Sequence, residues 1–200
     1  MYSRSMWSGS HVAGVLFKLR HPSVTWEAEF SDPMRLDAQG QQRKGKISPH
    51  PVTMRLRRLV SRAGIDTQSL DSHFALTEAA TFIAADTLVF TNEVQRELML
   101  APYPQHLRER FLSKSTVMAQ SQPDSGLYEL VQSEYELEEH CVHVGYFGSF
   151  YENRGVGDVV KAITALPEDL RQVVRLHIFC PNPEKAQAQL WALGAPKQVI

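Results

Sequence analysis

The sequence contains few cysteines, and this scarcity excludes a disulfide-stabilised fold. Only Cys141 and Cys180 occur among the 200 residues. The pattern places them at opposite ends of neighbouring parallel strands, on the order of 15 Å apart at ~3.3 Å per residue. A disulfide cannot span that distance. We therefore expect both thiols to be reduced.

Charge excess and long apolar runs are also missing. The formal net charge is −1, which gives no general argument for nucleic-acid binding, so no nucleic acid is expected as a partner. The longest apolar run, residues 12–19, is interrupted by Gly14 and Lys18 and is too short to span a bilayer. The first residues lack the basic, apolar and small-residue order of a signal sequence. These features predict a cytoplasmic protein.

Basic residues are concentrated in one stretch, which begins at Arg35 and ends at Arg62. It contains eight Arg and Lys residues against Asp37 alone, whereas residues 65–140 are acidic. Gly40, Gly45 and Pro49 predict that its first half is a loop. The charge predicts peripheral contact with an anionic membrane surface at the inner membrane face, or with the phosphate of a bound molecule. The alternative is a solvated loop and helix.

Apolar patterning predicts strands that alternate with helices. A helix capped by Ser8 or Ser10 precedes a strand over residues 24–30, and a buried strand follows at residues 86–91. The second half predicts strands at residues 142–147 and 173–179, helices at residues 156–166 and 183–193, and a further strand opening at Gln198. This order predicts an α/β protein of two Rossmann-like units with mainly parallel sheets. The expected division is residues 1–125, a connection over 126–140, and an incomplete unit over 141–200.

The most informative segment is residues 144–156. A strand ends at Gly148, a polar loop follows, and a helix starts at Gly155. Free backbone N–H groups and the positive end of the helix dipole favour phosphate at such a place. Arg154 adds a guanidinium suited to a pyrophosphate. The alternative is a simple strand-to-helix turn with a solvated arginine.

This segment, with the helix over residues 158–163, resembles the opening of the C-terminal domain of group 1 (family 4 type) glycosyltransferases of the GT-B fold. That family carries an arginine after the first glycine and a lysine before the second, and both contact the donor pyrophosphate. This sequence has Ser149 and Arg154 at those positions. The resemblance implies pyrophosphate binding by Gly148, Ser149, Arg154 and Gly155, with one cation absent.

Three other stretches resemble the same family in the same order. Residues 10–14 and 26–33 are similar to the later N-terminal domain, which implies His11 as a catalytic cleft residue and Asp32 as a cleft candidate. The alternatives are a polar residue at a helix start and a turn former. The remaining similar stretches are residues 84–91 and 177–181, the latter with Leu193-Gly194.

The resemblance implies a retaining glycosyltransferase that moves a sugar from a nucleotide-diphosphate donor to a polysaccharide, lipid-linked or small acceptor, with no cofactor. The family's Glu-x7-Glu pair occurs nowhere in these residues, so we interpret the chain as a central fragment, inactive alone. One alternative is a non-catalytic α/β binding or assembly protein of the same ancestry. Another is a GT-B sugar-nucleotide epimerase. The His140/His143 and His177/Cys180 pairs point to opposite strand faces, so no metal is expected.

Overall fold

The chain folds as two α/β units. The computed structural model describes residues 1–5, 7–37, 40–130, 135–149, 155–192 and 194–195. The units are Met1–Gln122 and Pro123–Ile200. Each contains a parallel sheet flanked by helices, so the predicted α/β class with parallel strands is confirmed.

In chain order the elements of the first unit are β1 Tyr2–Arg4, α1 Ser8–Arg20, β2 Glu27–Phe30, α2 Pro51–Arg62, α3 His73–Ala84, β3 Thr87–Phe90, α4 Glu93–Leu100, α5 Gln105–Leu112 and β4 Ser115–Val117. The four strands are parallel and lie in the order β1-β2-β3-β4. Helices connect each strand to the next, as parallel strands require. The short strand β1 has too few apolar residues to be recognised from periodicity, and helix α5 was not predicted.

Local sequence explains where most of these helices begin. Pro51 occupies the first turn of α2, where its missing N–H costs nothing. The side chain of Ser72 accepts from the Ala75 N–H and caps α3. The prediction that Ser8 or Ser10 caps α1 was wrong. The N-cap of this helix is Trp7, and no side chain makes a capping hydrogen bond there. Ser10 instead donates its hydroxyl to the Trp7 carbonyl at 2.9 Å.

One face of the first sheet forms the hydrophobic core. Trp26 and the alternate residues of β2, Ala28 and Phe30, have no exposed surface, as their period of two predicts. Phe30 stacks on Phe90 of β3 at 5.6 Å. The α1 backbone comes so close to Trp26 that a Cβ on Gly14 would lie 2.3 Å from the indole ring. This close approach explains the glycine.

The opposite face of β1 and β2 is polar. Glu29 of β2 lies on this face and is only 8% exposed. Its carboxylate accepts from the Tyr2 hydroxyl and pairs with Arg4, whose Nε lies 2.9 Å away. The register explains both contacts, because Arg4 of β1 lies opposite Glu29 of β2, and Tyr2 two residues earlier lies on the same face.

The second unit contains a two-stranded parallel sheet. Phe147 pairs with Phe179, and Val142 pairs with Val174 at the other end. Cys141 precedes one strand and Cys180 follows the other, so they lie at opposite edges, and both are free. The elements are α6 Ser125–Glu129, β5 Val142–Phe147, α7 Val156–Thr164, α8 Glu168–Val173, β6 Val174–Phe179 and α9 Pro183–Ala192.

The remaining sequence predictions for this unit have mixed outcomes. Part of the expected connection over residues 126–140 forms the short helix α6. Helix α8 was not predicted, and it occupies the turns directly before β6. The helix end at Leu193 and the strand opening at Gln198 lie outside the described residues.

Candidate functional site

A cavity lies where β1 and β2 of the first unit end. Parallel strands present their carboxyl ends at one edge of the sheet, which is where α/β proteins bind ligands. The cavity has a volume of about 230 Å³. The loops after β1 and β2, the start of α1 and the start of α3 form its walls. Its lining residues are Ser5, Trp7, Ser8, Asp32, Pro33, Met34, Arg43 and Phe74.

Asp32, the predicted cleft candidate, lies in this cavity wall. It is exposed and is the second residue after β2. Arg43 supplies a cation to the same wall, and its guanidinium lies over the Phe74 ring at 5.7 Å. The Arg43 Nε also donates to the Leu36 carbonyl at 2.8 Å, which fixes its position. A carboxylate, a guanidinium, two serines and an aromatic face suit a polar, hydroxylated ligand.

A buried glutamate that sequence reasoning missed holds the loop of this cavity. Glu78 of α3 is 1% exposed. It accepts from the Arg35 backbone N–H at 3.1 Å and from the Tyr103 hydroxyl at 3.4 Å. Burial raises the pKa of Glu78 to about 7, and the nearby Arg35 guanidinium opposes this shift. The sequence feature that could have identified Glu78 is its position as the one acidic residue within the largely apolar residues 74–84 of α3.

His11 lies beneath the cavity rather than in its wall. Its ring has no exposed surface and packs edge-on against Phe30 at 4.8 Å. Its Nδ1 lies 2.9 Å from the Ser3 hydroxyl, while its Nε2 is buried without a hydrogen-bond partner. Burial lowers the pKa of His11 to about 4, although the Glu29 backbone acts to raise it, so the ring is neutral at pH 7. The catalytic role of His11 stays a prediction, and this structure offers the ring no open surface.

The predicted pyrophosphate site falls at the corresponding edge of the second sheet. Gly148 follows β5 with φ 129°, and its N–H donates to the Phe179 carbonyl at 2.9 Å. Gly155 is the N-cap of α7 and adopts the left-handed conformation, with φ 72°, which glycine tolerates without strain. The Ser149 carbonyl accepts from the Tyr146 hydroxyl at 2.6 Å. Arg154 lies outside the described residues.

The start of α7 is polar but not uniformly favourable to an anion. A helix leaves its first N–H groups without helical partners, and they attract negative charge. Gly155 provides no capping side chain to occupy them. Asp158, however, adds a carboxylate in the first turn, and this exposed group lies 3.7 Å from Lys161. A bound phosphate at this edge therefore needs a cation such as Arg154.

A histidine pair joins the two strands of the second unit. His143 Nδ1 and His177 Nε2 lie 2.7 Å apart across the β5–β6 register. The second nitrogen of His177 contacts the Tyr135 hydroxyl, and that of His143 contacts the Glu138 carbonyl at 2.8 Å. All four ring nitrogens are thus engaged. This pair was not predicted, because only pairs of possible metal ligands within one strand segment, His140/His143 and His177/Cys180, were considered from the sequence.

Metal binding and membrane insertion receive no support from the described residues. Within these ranges, no three His, Cys, Asp or Glu side chains are grouped as metal ligands. Among the helices described, none combines the length and apolar character needed to cross a bilayer. Comparisons with models of protein families and with curated proteins find no match to this chain.

Proposed function

We propose that the chain forms part of a retaining GT-B glycosyltransferase that uses a nucleotide-diphosphate sugar as donor. The observation that carries the proposal is that each of two parallel α/β units has candidate binding groups at the carboxyl edge of its sheet. These are the cavity with Asp32 in the first unit and the edge with Gly148 and Gly155 in the second. A donor and an acceptor need two such sites.

In this proposal the first unit binds the acceptor, a polysaccharide, a lipid-linked sugar or a small molecule. Sugar hydroxyl groups donate to carboxylates and accept from guanidinium groups, and Asp32 and Arg43 supply one of each. The Phe74 ring packs against the Arg43 guanidinium at 5.7 Å and so supports the cation of this pair. Glu78 positions this wall without contacting the ligand, because it fixes the backbone at Arg35, three residues after Asp32.

The second unit binds the donor pyrophosphate. The first N–H groups of α7 and the proposed Arg154 contact stabilise the charge that develops on the leaving nucleoside diphosphate, as preorganised donors do in transition states. Gly155 has no side chain that could cap the start of α7. We place the protein in the cytoplasm, where the free thiols of Cys141 and Cys180 stay reduced.

A second candidate is a non-catalytic α/β binding protein of the same ancestry. It is favoured by Ser149, which stands where the family has a pyrophosphate-binding arginine, and by the Asp158 carboxylate in the first turn of α7. Both features weaken anion binding at this edge. Such a protein would recognise a saccharide without turning over a donor.

Ligand binding separates these candidates, because the chain is expected to be inactive alone. Uridine, guanosine and adenosine diphosphates, their sugars, and oligosaccharides are titrated against the chain and followed by ³¹P and ¹H NMR. Saturable binding of both a nucleoside diphosphate and a saccharide supports the transferase. A donor converted to its epimer assigns an epimerase. Saccharide binding without any contact to nucleotides assigns the binding protein and overturns the proposal.

A further inference from the structure

Arginines from two helices surround a groove on the first unit that the proposed sugar transfer does not use. We call it the arginine groove. It consists of two adjoining cavities of about 350 and 420 Å³ between α1 and α2. Leucines of α1 form part of its lining, and four arginines surround them. The residues that define it are Leu16, Leu19, Arg20, Arg55, Arg58 and Arg62.

The four arginines are available for a ligand. All are exposed, and none has an ion pair or side-chain hydrogen bond within the described residues. The groove lining contains no carboxylate. By contrast, Arg35 and Arg43 of the same basic stretch are engaged internally, with Glu78 and with the Leu36 carbonyl. The groove thus uses the arginines of the basic stretch that lie on α2. It also includes Arg20 of α1, which the linear sequence did not indicate.

Apolar side chains are exposed beside these arginines. Met54 of α2 is 56% exposed and Leu19 of α1 is 43% exposed. Leu56 and Val60 of α2 face the core instead, so α2 has one apolar and one basic face. Because the apolar face of α2 is buried in the core, membrane contact would depend on the arginines together with the exposed Met54 and Leu19, a combination of cations and apolar groups that binds membrane interfaces.

We propose that the arginine groove is a docking surface for an anionic phospholipid membrane. Lipid phosphates neutralise the four guanidinium groups, while Met54 and Leu19 enter the acyl boundary. The exposed apolar side chains beside the arginines favour a membrane over a purely polar polyanion. This inference does not depend on sugar transfer, because none of its residues lines the Asp32 cavity.

The groove and the Asp32 cavity lie towards opposite ends of α1. Ser8, in the cavity wall, and Arg20, in the groove, are the first and last residues of this helix. At 1.5 Å per residue they are roughly 18 Å apart. The two sites are therefore separate surfaces of the first unit.

Vesicle binding tests the proposal. The full chain is sedimented with vesicles of phosphatidylcholine alone and of phosphatidylcholine mixed equally with phosphatidylglycerol. We expect binding to the anionic vesicles only, weakening with salt. The Arg55→Ala/Arg58→Ala variant should lower the partition coefficient roughly 30-fold, the effect of two arginines near a charged surface. Both side chains are exposed, and circular dichroism verifies that the variant folds.

A matched variant controls for net charge. Arg108→Ala/Arg110→Ala removes two exposed arginines of α5, outside the groove, and should bind like the unchanged chain. Equal losses in both double variants, or no binding of the unchanged chain to anionic vesicles at low salt, would overturn the proposal. Binding of an acidic peptide without vesicle binding would also overturn it and would assign the groove to a protein partner.

Discussion

The buried carboxylate of Glu78 accepts a hydrogen bond from the backbone N–H of Arg35 at 3.1 Å. This contact joins the middle of α3 to the loop that carries Asp32. The Arg35 guanidinium approaches the same carboxylate, with its Nε 3.8 Å away. A titratable group therefore holds one wall of the candidate acceptor cavity, and the stability of that wall depends on pH.

Replacing Glu78 with glutamine should remove one component of this pH dependence. The pKa of Glu78 is about 7 in the fold against 4.5 for an ordinary glutamate. Its stabilising contribution is therefore fully present below pH 4.5 and is lost as the pH rises through 7. Urea unfolding near pH 5 and near pH 8 should show a smaller loss of unfolding free energy in Glu78→Gln than in the unchanged chain. Equal losses in the two proteins would show that Glu78 is ionised at both pH values and would contradict its raised pKa.

The contribution of His11 to stability should depend on pH in the opposite direction. Burial lowers its pKa to about 4 from 6.5, so its contribution is present above pH 6.5 and is lost as the pH falls through 4. His11→Phe keeps an aromatic ring against Phe30 and has no charge to bury. We expect the acid unfolding midpoint, followed by circular dichroism, to move to lower pH. A midpoint that stays in place would mean that the imidazole is already accessible to protons.

Two glycines of α1 provide a matched pair of alanine substitutions. A Cβ on Gly14 would lie 2.3 Å from the wholly buried Trp26 ring, whereas a Cβ on Gly9 meets nothing within 4 Å. Gly14→Ala should cost roughly 1–3 kcal/mol, as overpacking in a core does. Gly9→Ala should stabilise the helix by up to about 0.5 kcal/mol. Thermal unfolding of the two variants gives the comparison, and equal effects would contradict the packing of α1 on Trp26.

The fold was predictable where apolar periodicity was strong. Trp26, Ala28 and Phe30 alternate as the structure shows, and the apolar runs of β3 and β5 are strands. Strand β1 was missed because its three residues, Tyr-Ser-Arg, carry no apolar signal. It forms because its backbone completes the sheet beside β2. Such long-range pairing leaves no local pattern to detect.

The candidate site was only partly predictable. Asp32 was a cleft candidate only through the resemblance of residues 26–33 to glycosyltransferases, and it lines the cavity of the first unit. The burial of His11 was not foreseen, because a helix-start position does not reveal which side chains Ser3 and Phe30 bring over it. Glu78 was missed for the same reason. Its partners Arg35 and Tyr103 lie 43 and 25 residues away in sequence.

Nucleoside diphosphate binding by the second unit tests the central claim most directly. Uridine and guanosine diphosphate are titrated while the amide signals of Gly148, Ser149 and Gly155 are followed by NMR. Arg154→Ala is compared with Arg108→Ala, an exposed arginine of the first unit. We predict saturable shifts at the three amides, and a roughly 10-fold or greater loss of affinity for Arg154→Ala alone, the effect of one charge-assisted hydrogen bond. No shift at these amides, or equal affinity with and without Arg154, would contradict the donor site and the glycosyltransferase proposal with it.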